Sequence, residues 1–258
     1  MRAIIFAGPS LPPSARPVAE TGIEWRPPVR QGDLYRGALT GPDVIGVIDG
    51  YFESVPTVWH KEILWAMAQG IHVYGSASIG ALRAAELHTF GMVGIGCIFE
   101  AYRDGILTDD DEVAVLHGPE ELGYPALTEA MVNIHATLDK AATEGVLDAA
   151  QAAHLNETGK TLFYKQRTWD VILRLAGHNL PLADFAGWLC RGHVDQKRTD
   201  ALDMIAVMRA HLTAGMTPVA VSYRFHDTGY HKAALDSASN VGEHKGALDQ
   251  LFPFVSGG

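Results

Sequence analysis

Short apolar runs that stop at glycine, proline or aspartate alternate with helical patterns through the first half of the chain, and that alternation leaves few architectures open. Residues 2–7, 44–48, 71–75 and 113–116 read as strands, with a further short one at residues 23–26. Between them, Thr57 is placed to cap a helix reaching Gln69, because Val58, Ile63, Leu64 and Met67 recur at helical spacing. Residues 79–90 predict the next helix, and the glycines at 91, 94 and 96 a tight loop. Strands separated by helices pair as parallel neighbours, so the expected fold is α/β, with a Rossmann-like parallel sheet core over residues 1–120. From residue 126 the pattern is helical alone, at 130–142, 148–156, 160–175 and 199–212. The expectation is therefore a mainly α-helical second half, residues 121–214 packing on the core. Residues 215–258 mix glycine, serine, histidine and aspartate without periodicity and form a tail with no predicted element.

Composition narrows the setting. The chain has 258 residues and two cysteines, Cys97 and Cys190, too few for a disulfide framework and without zinc-site spacing. A reducing, cytoplasmic compartment is expected. The N-terminal apolar run is short and follows one arginine, which suits a strand and not a secretory leader, and nothing later approaches the roughly 20 apolar residues of a membrane span. A formal net charge of -10 with no basic run argues against nucleic acid, whose phosphates require a positive face. Proteins and small molecules remain as partners, with no cofactor expected.

The most informative segment runs Val73-Tyr74-Gly75-Ser76-Ala77-Ser78-Ile79-Gly80-Ala81-Leu82-Arg83. A strand enters small-x-Ser-x-Gly and leaves as a helix, the mechanics of a nucleophile elbow. Small residues, Ser76 and Gly80 among them, permit the sharp turn, while the Ser78 hydroxyl projects above the sheet. The backbone N–H of Ile79, at the start of the helix, is placed to stabilise an oxyanion. A competing reading has Ser76 and Ser78 merely capping that helix. A nucleophilic serine needs a base, and none of His60, His72, His88 and His117 stands out. Lys61, in the first turn of the preceding helix, shares the carboxyl edge of a parallel sheet with Ser78 and is the first-choice partner. Its ordinary role would be a solvated surface lysine. Arg83 can hold an anion or pair with Glu86 three residues on. Asp49, at a strand end, can orient Lys61 or cap the turn into Gly50. Asp109 to Glu112 resemble metal ligands in composition, but a solvated or partner-facing charge run is the stronger reading and no metal is expected.

Three stretches carry a family resemblance: Val58-Trp59-His60-Lys61-Glu62-Ile63-Leu64, the string from Gly75 to Leu87, and Gly91-Met92-Val93-Gly94 with Asp110-Asp111-Glu112-Val113-Ala114-Val115. Over about residues 1–118 the chain resembles the TfuA-like family, and Asp195-Gln196-Lys197-Arg198-Thr199-Asp200-Ala201 matches it more loosely. The resemblance implies a partner of YcaO-type enzymes in peptide backbone thioamidation. It further implies hydrolysis of a thiocarboxylated ubiquitin-like sulfur carrier by a Ser-Lys pair, with the precursor peptide as another contact. Ser78 is the serine by motif, Lys61 the assigned lysine and Lys197 the second choice. Lys197 and Arg198 are also candidates for contacting acidic groups of a partner protein. Two other classes stay open: a non-catalytic adaptor tethering enzyme, carrier and precursor, and a small-molecule hydrolase.

Overall fold

The apolar runs assemble into one sheet of five strands, all parallel, in the order β2-β1-β3-β4-β5. These are β1 (Ala3–Phe6), β2 (Ile23–Arg26), β3 (Val44–Val47), β4 (His72–Ser76) and β5 (Val93–Ile95). The computed structural model describes residues 2–17, 22–177 and 182–239. Every residue of β1 and β3 is buried, which explains why these strands read as unbroken apolar runs with no alternation.

Four helices, α1 (Asp33–Leu39), α2 (His60–Ala68), α3 (Ile79–Leu87) and α4 (Cys97–Arg103), supply one face of the core. There Leu34, Ile63, Met67 and Ala84 join Ile4, Phe6, Ile45 and Val73 in one cluster. Four more, α5 (Met131–Thr143), α6 (Ala149–Thr161), α7 (Trp169–Ala176) and α8 (Leu182–Gly192), share a separate core with Ile134, Leu155, Ile172 and Phe185 at its centre. The opposite face of the sheet is closed by α9 (Gln196–Ala214), whose Ala201, Met204, Ile205 and Met208 cluster with Ile5, Val44, Ile48 and Tyr74. Gly46 lets this helix approach closely, since a Cβ there would stand 3.0 Å from the Met204 methyl. At about 1.5–3 kcal/mol for each large apolar side chain removed from water, α9 is integral to the sheet.

Several sequence expectations are corrected. Residues 113–116 do not enter the sheet; they follow a 3-10 turn at Asp110–Glu112, and His117 makes only an isolated bridge to Ala126. The fifth strand is Val93–Ile95, inside the stretch expected to be a loop: three residues flanked by glycines carry too little periodicity to register. Helix α1 was not foreseen, because the run it buries is only seven residues long. The single helix expected over 160–175 is broken between α6 and α7 by a 3-10 turn at Tyr164–Gln166. Of the expected tail, Gly229–Ser239 is a helix, α10, and residues 240–258 lie outside the described residues. Among the described residues no helix is long and apolar enough to cross a membrane.

Candidate functional site

The strand order reverses between β1 and β3, and in open parallel sheets the crevice beyond the carboxyl ends at such a reversal is where ligands are held. A cleft of about 540 Å³ lies at this edge, lined by Pro9 after β1, Asp49 and Gly50 after β3, and Ser78 and Ile79 after β4. Its outer walls come from Tyr51 and Phe52 on one side and Val113 to Val115 with His117 on the other.

Ser78 is brought here by a turn tighter than a helix cap. Its N–H donates to the Ser76 carbonyl at 2.7 Å across Ala77, whose φ is +66°. A two-residue hydrogen bond around a positive φ is a γ-turn of the rarer, strained hand. The strained residue is thus Ala77, one before the position the elbow pattern assigns. Ser78 itself takes φ -130° and ψ -126° at the N-cap of α3, with no capping hydrogen bond from its side chain. It lies in the cleft wall at 8% exposure. The capping alternative fails for both serines, since the Ser76 hydroxyl bonds the carbonyls of Ile95 and Asp200, each at 2.8 Å, tying β4 to β5 and α9.

Gly80 permits the turn. A Cβ there would meet the Val47 carbonyl oxygen at 1.8 Å, so α3 enters directly against β3, and its own N–H donates to the Ile48 carbonyl at 3.3 Å. On the far side, a Cβ at Gly75 would meet the Gly80 carbonyl at 2.1 Å. These two glycines set the depth at which the serine sits.

The two candidate lysines go to different places. Lys61 does not line the cleft: its ammonium donates to the His226 carbonyl at 3.0 Å and the Thr228 hydroxyl at 3.4 Å, and stands 5.5 Å from the Phe225 ring centre. It holds the segment that leads into α10 against α2. Lys197, in the first turn of α9, lines the same cleft as Ser78. It is buried at 3% exposure, and its amine donates to the Val113 carbonyl at 2.6 Å. Burial holds its pKa below the ordinary value, against the opposing pull of Asp49, Asp195 and Glu129. A buried amine is no surface contact for a partner, which corrects that expectation for Lys197. Arg198 remains exposed and pairs with Asp195 at 3.0 Å.

Asp49 is buried too, but it orients a loop and not Lys61. Its carboxylate accepts the N–H groups of Gly8 at 2.8 Å and Ser10 at 3.0 Å and the Ser10 hydroxyl at 2.6 Å. Arg83 lines the cleft and pairs with Glu86 as the spacing predicted, donating to it at 2.7 Å and to the Val58 carbonyl at 3.2 Å. The loop carrying Tyr51 and Phe52 is latched to the helical half. Glu53, at φ +60°, pairs with Lys165 at 3.1 Å and accepts the Tyr164 hydroxyl at 3.1 Å. Asp109, Asp111 and Glu112 bring ligand atoms within 4.8 Å of one another. The Lys160 ammonium pairs with all three, at 2.8 Å from Asp109 and 3.3 Å from Asp111, and the fully buried Arg167 pairs with Asp111 at 2.7 Å. This is an ion-pair clamp between the turn and α6.

Helices on both faces of a parallel sheet, with a cleft at its reversal point, define a doubly wound α/β protein with its candidate site at the carboxyl edge. Residues 49–168, a little under half of the chain, match the family described as TfuA-like protein, and over that region the chain is similar to that family. The TfuA-like family is associated with YcaO-dependent thioamidation. Asp49 and Ser78 fall inside the matched region and Lys197 outside it. No curated protein matches the chain.

Sequence reasoning missed Tyr51 and His117 as cleft walls, and ranked Lys197 second. No local signal separates it from Lys61, since each lysine lies in the first turn of its helix, at the positive end of the dipole.

Proposed function

We propose that the chain hydrolyses the thiocarboxylate at the end of a ubiquitin-like sulfur carrier, with Ser78 as nucleophile and Lys197 as base, and so supplies sulfide to a YcaO-type enzyme. One observation carries this reading: a serine hydroxyl free of any capping role shares a cleft with a buried amine whose pKa is depressed. A neutral amine at ordinary pH is what a Ser-Lys pair requires.

The neutral Lys197 amine takes the hydroxyl proton as Ser78 Oγ bonds to the thiocarboxylate carbon. The resulting oxyanion is met by the Ile79 N–H at the start of α3, with Arg83 drawing the anion into the cleft. The C–S bond then breaks, and sulfur leaves as hydrosulfide with the proton returned by the Lys197 ammonium. Water, deprotonated by the same amine, attacks the seryl ester. The carrier departs as a carboxylate, Ser78 recovers its proton, and one net proton goes to solvent. Asp49 supports the site by fixing the loop after β1 beside Lys197.

The test is sulfide release from purified thiocarboxylated carrier without the YcaO-type protein. Ser78→Ala is expected to abolish it while leaving the chain folded. Lys197→Met is expected to lower it by about 10² to 10⁴, typical of losing a general base. Release at the parental rate by both variants would leave the adaptor reading, in which the chain tethers enzyme, carrier and precursor peptide without cleaving anything.

A further inference from the structure

Lys197 does not belong to one cleft alone. On the side away from Ser78 a second cleft of about 360 Å³ reaches it, separated from the first by Pro9 and Val115, which line both. Three polar residues of this second cleft form a continuous chain to Lys197. His193 Nε2 meets Glu129 Oε2 at 2.8 Å. Glu129 Oε1 accepts the Asn133 side-chain N–H at 2.9 Å, and Asn133 Oδ1 accepts the backbone N–H of Lys197 at 3.1 Å. Asn133 is 5% exposed, so both ends of its amide are used where water is scarce.

Around this chain the entry to α9 is held by α5 and by its own cap. Val194 N–H donates to the fully buried Thr137 hydroxyl at 3.0 Å, and Arg198 N–H to Asp195 Oδ1 at 3.1 Å. The backbone that carries Lys197 is therefore fixed by side chains, while its amine has, among the described residues, the Val113 carbonyl as its one acceptor.

We propose that Asn133, Glu129 and His193 are positioning residues for Lys197, which couple the amine beside Ser78 to a histidine that opens to solvent in the second cleft. The proposal rests on the Ser78–Lys197 reading for its catalytic meaning, but the coupling itself is a property of the fold. The carboxylates acting on Lys197 are Asp49 from the end of β3, Asp195 at the cap of α9 and Glu129 ahead of α5. His193 in turn faces Glu129, Asp195 and Arg198. The cleft shared with Ser78 is further lined by Glu53, Arg83, Glu86, Asp110 and His117, each charged or titratable. Asp49 is committed to the Gly8–Ser10 loop and Asp195 is paired with Arg198 at 3.0 Å, which leaves Glu129, bonded directly to His193, as the carboxylate whose charge the histidine offsets.

The sign of the coupling follows. Its bond to Glu129 keeps His193 protonated to higher pH than usual. While charged, His193 offsets the Glu129 carboxylate and weakens its pull toward Lys197 ammonium. When His193 loses its proton, Glu129 acts in full and Lys197 holds its own proton more tightly. The two groups thus titrate against each other, and the neutral amine is favoured while the histidine is charged.

The chain has seven lysines, so side-chain isotope labelling with assignment by Lys197→Arg gives one titration curve for this amine by NMR, with no need for substrate. In Glu129→Gln the Lys197 midpoint should move down. In His193→Gln, which keeps a hydrogen-bond donor but not the charge, it should move up below the pH at which His193 normally deprotonates. Mere loosening of the helix entry would let water reach the amine and move both midpoints up. Shifts of the same sign in the two variants, or no shift in either, would overturn the proposal. In the sulfide-release assay the His193→Gln rate profile should move to higher pH with KM unchanged. If opposite midpoint shifts appear and Ser78→Ala nevertheless retains full activity, the coupling stands and the hydrolytic reading falls.

Discussion

Two helices of this protein, α2 and α9, each carry a lysine in the first turn, and the two environments differ in every respect that matters for chemistry. Lys61 on α2 satisfies its ammonium with a carbonyl, a hydroxyl and an aromatic face, all from the segment leading into α10. Lys197 on α9 is buried, has one carbonyl acceptor and lines the cleft that holds Ser78. Position in sequence favours Lys61, whose helix precedes the Ser78 strand. Position in space favours Lys197, because α9 crosses the other face of the sheet and delivers its N-terminus to the same edge. A charge that can be solvated by its own neighbours becomes a strut, and one taken out of water is held below its ordinary pKa.

The largest way to break this contrast is to destroy the cleft wall that Ser78 stands on. Gly80→Ala would drive a methyl into the Val47 carbonyl, and a loss above ~4 kcal/mol, or failure to fold, is expected in chemical denaturation. Next comes the direct comparison of amines. Lys197→Met should lose about 3 to 5 kcal/mol of transition-state stabilisation in sulfide release, whereas Lys61→Met should release sulfide at the parental rate. The reverse result would return the base to Lys61. A smaller effect is expected at Asp49, where Asp49→Asn places an amide against the Gly8 and Ser10 donors and should cost about 2 kcal/mol of folding stability.

The same pair differs in stability and pH. Replacing buried Lys197 by an apolar side chain should be neutral or stabilising by ~1 kcal/mol near neutral pH, since the folded chain no longer has to hold neutral a lysine that keeps its proton when unfolded. Because its native pKa lies below its unfolded one, the unfolded chain binds the proton more tightly. Parental stability should therefore rise relative to Lys197→Met as pH climbs from the lowered native value toward the ordinary 10.5. Paired denaturation curves across that window check the sign. The smallest effect belongs to Lys61→Met, under ~1 kcal/mol, because partly exposed contacts lose little when removed.

Much of the fold was legible because its signals are local. β1, β3 and β4 read as apolar runs, and the string through Ser78 announced a strand, a sharp turn and a helix. The missed pieces, β5 and α1, are short and take their stability from neighbours. Residues 113–116 have a strand's composition, yet they wall the cleft, with Val113 giving its carbonyl to Lys197 and Leu116 donating to the Thr128 hydroxyl. Within the site, Ser78, Gly80 and Asp49 could be named from pattern, though Ala77 proved to be the strained residue and Asp49 proved to hold a loop.

By itself the sequence determined the parallel α/β core and the turn that presents Ser78, since each depends on periodicity and residue size within a few positions, while the family resemblance read over about residues 1–118 is matched over 49–168. Only the tertiary structure decided which amine lines the cleft that holds the serine. Ser78 and Lys197 come to line one cleft through the burial of Met204, Ile205 and Met208 on a sheet face that no local pattern marks as vacant. Desolvation, which separates a reactive lysine from a solvated one, belongs to that packing and not to the residue.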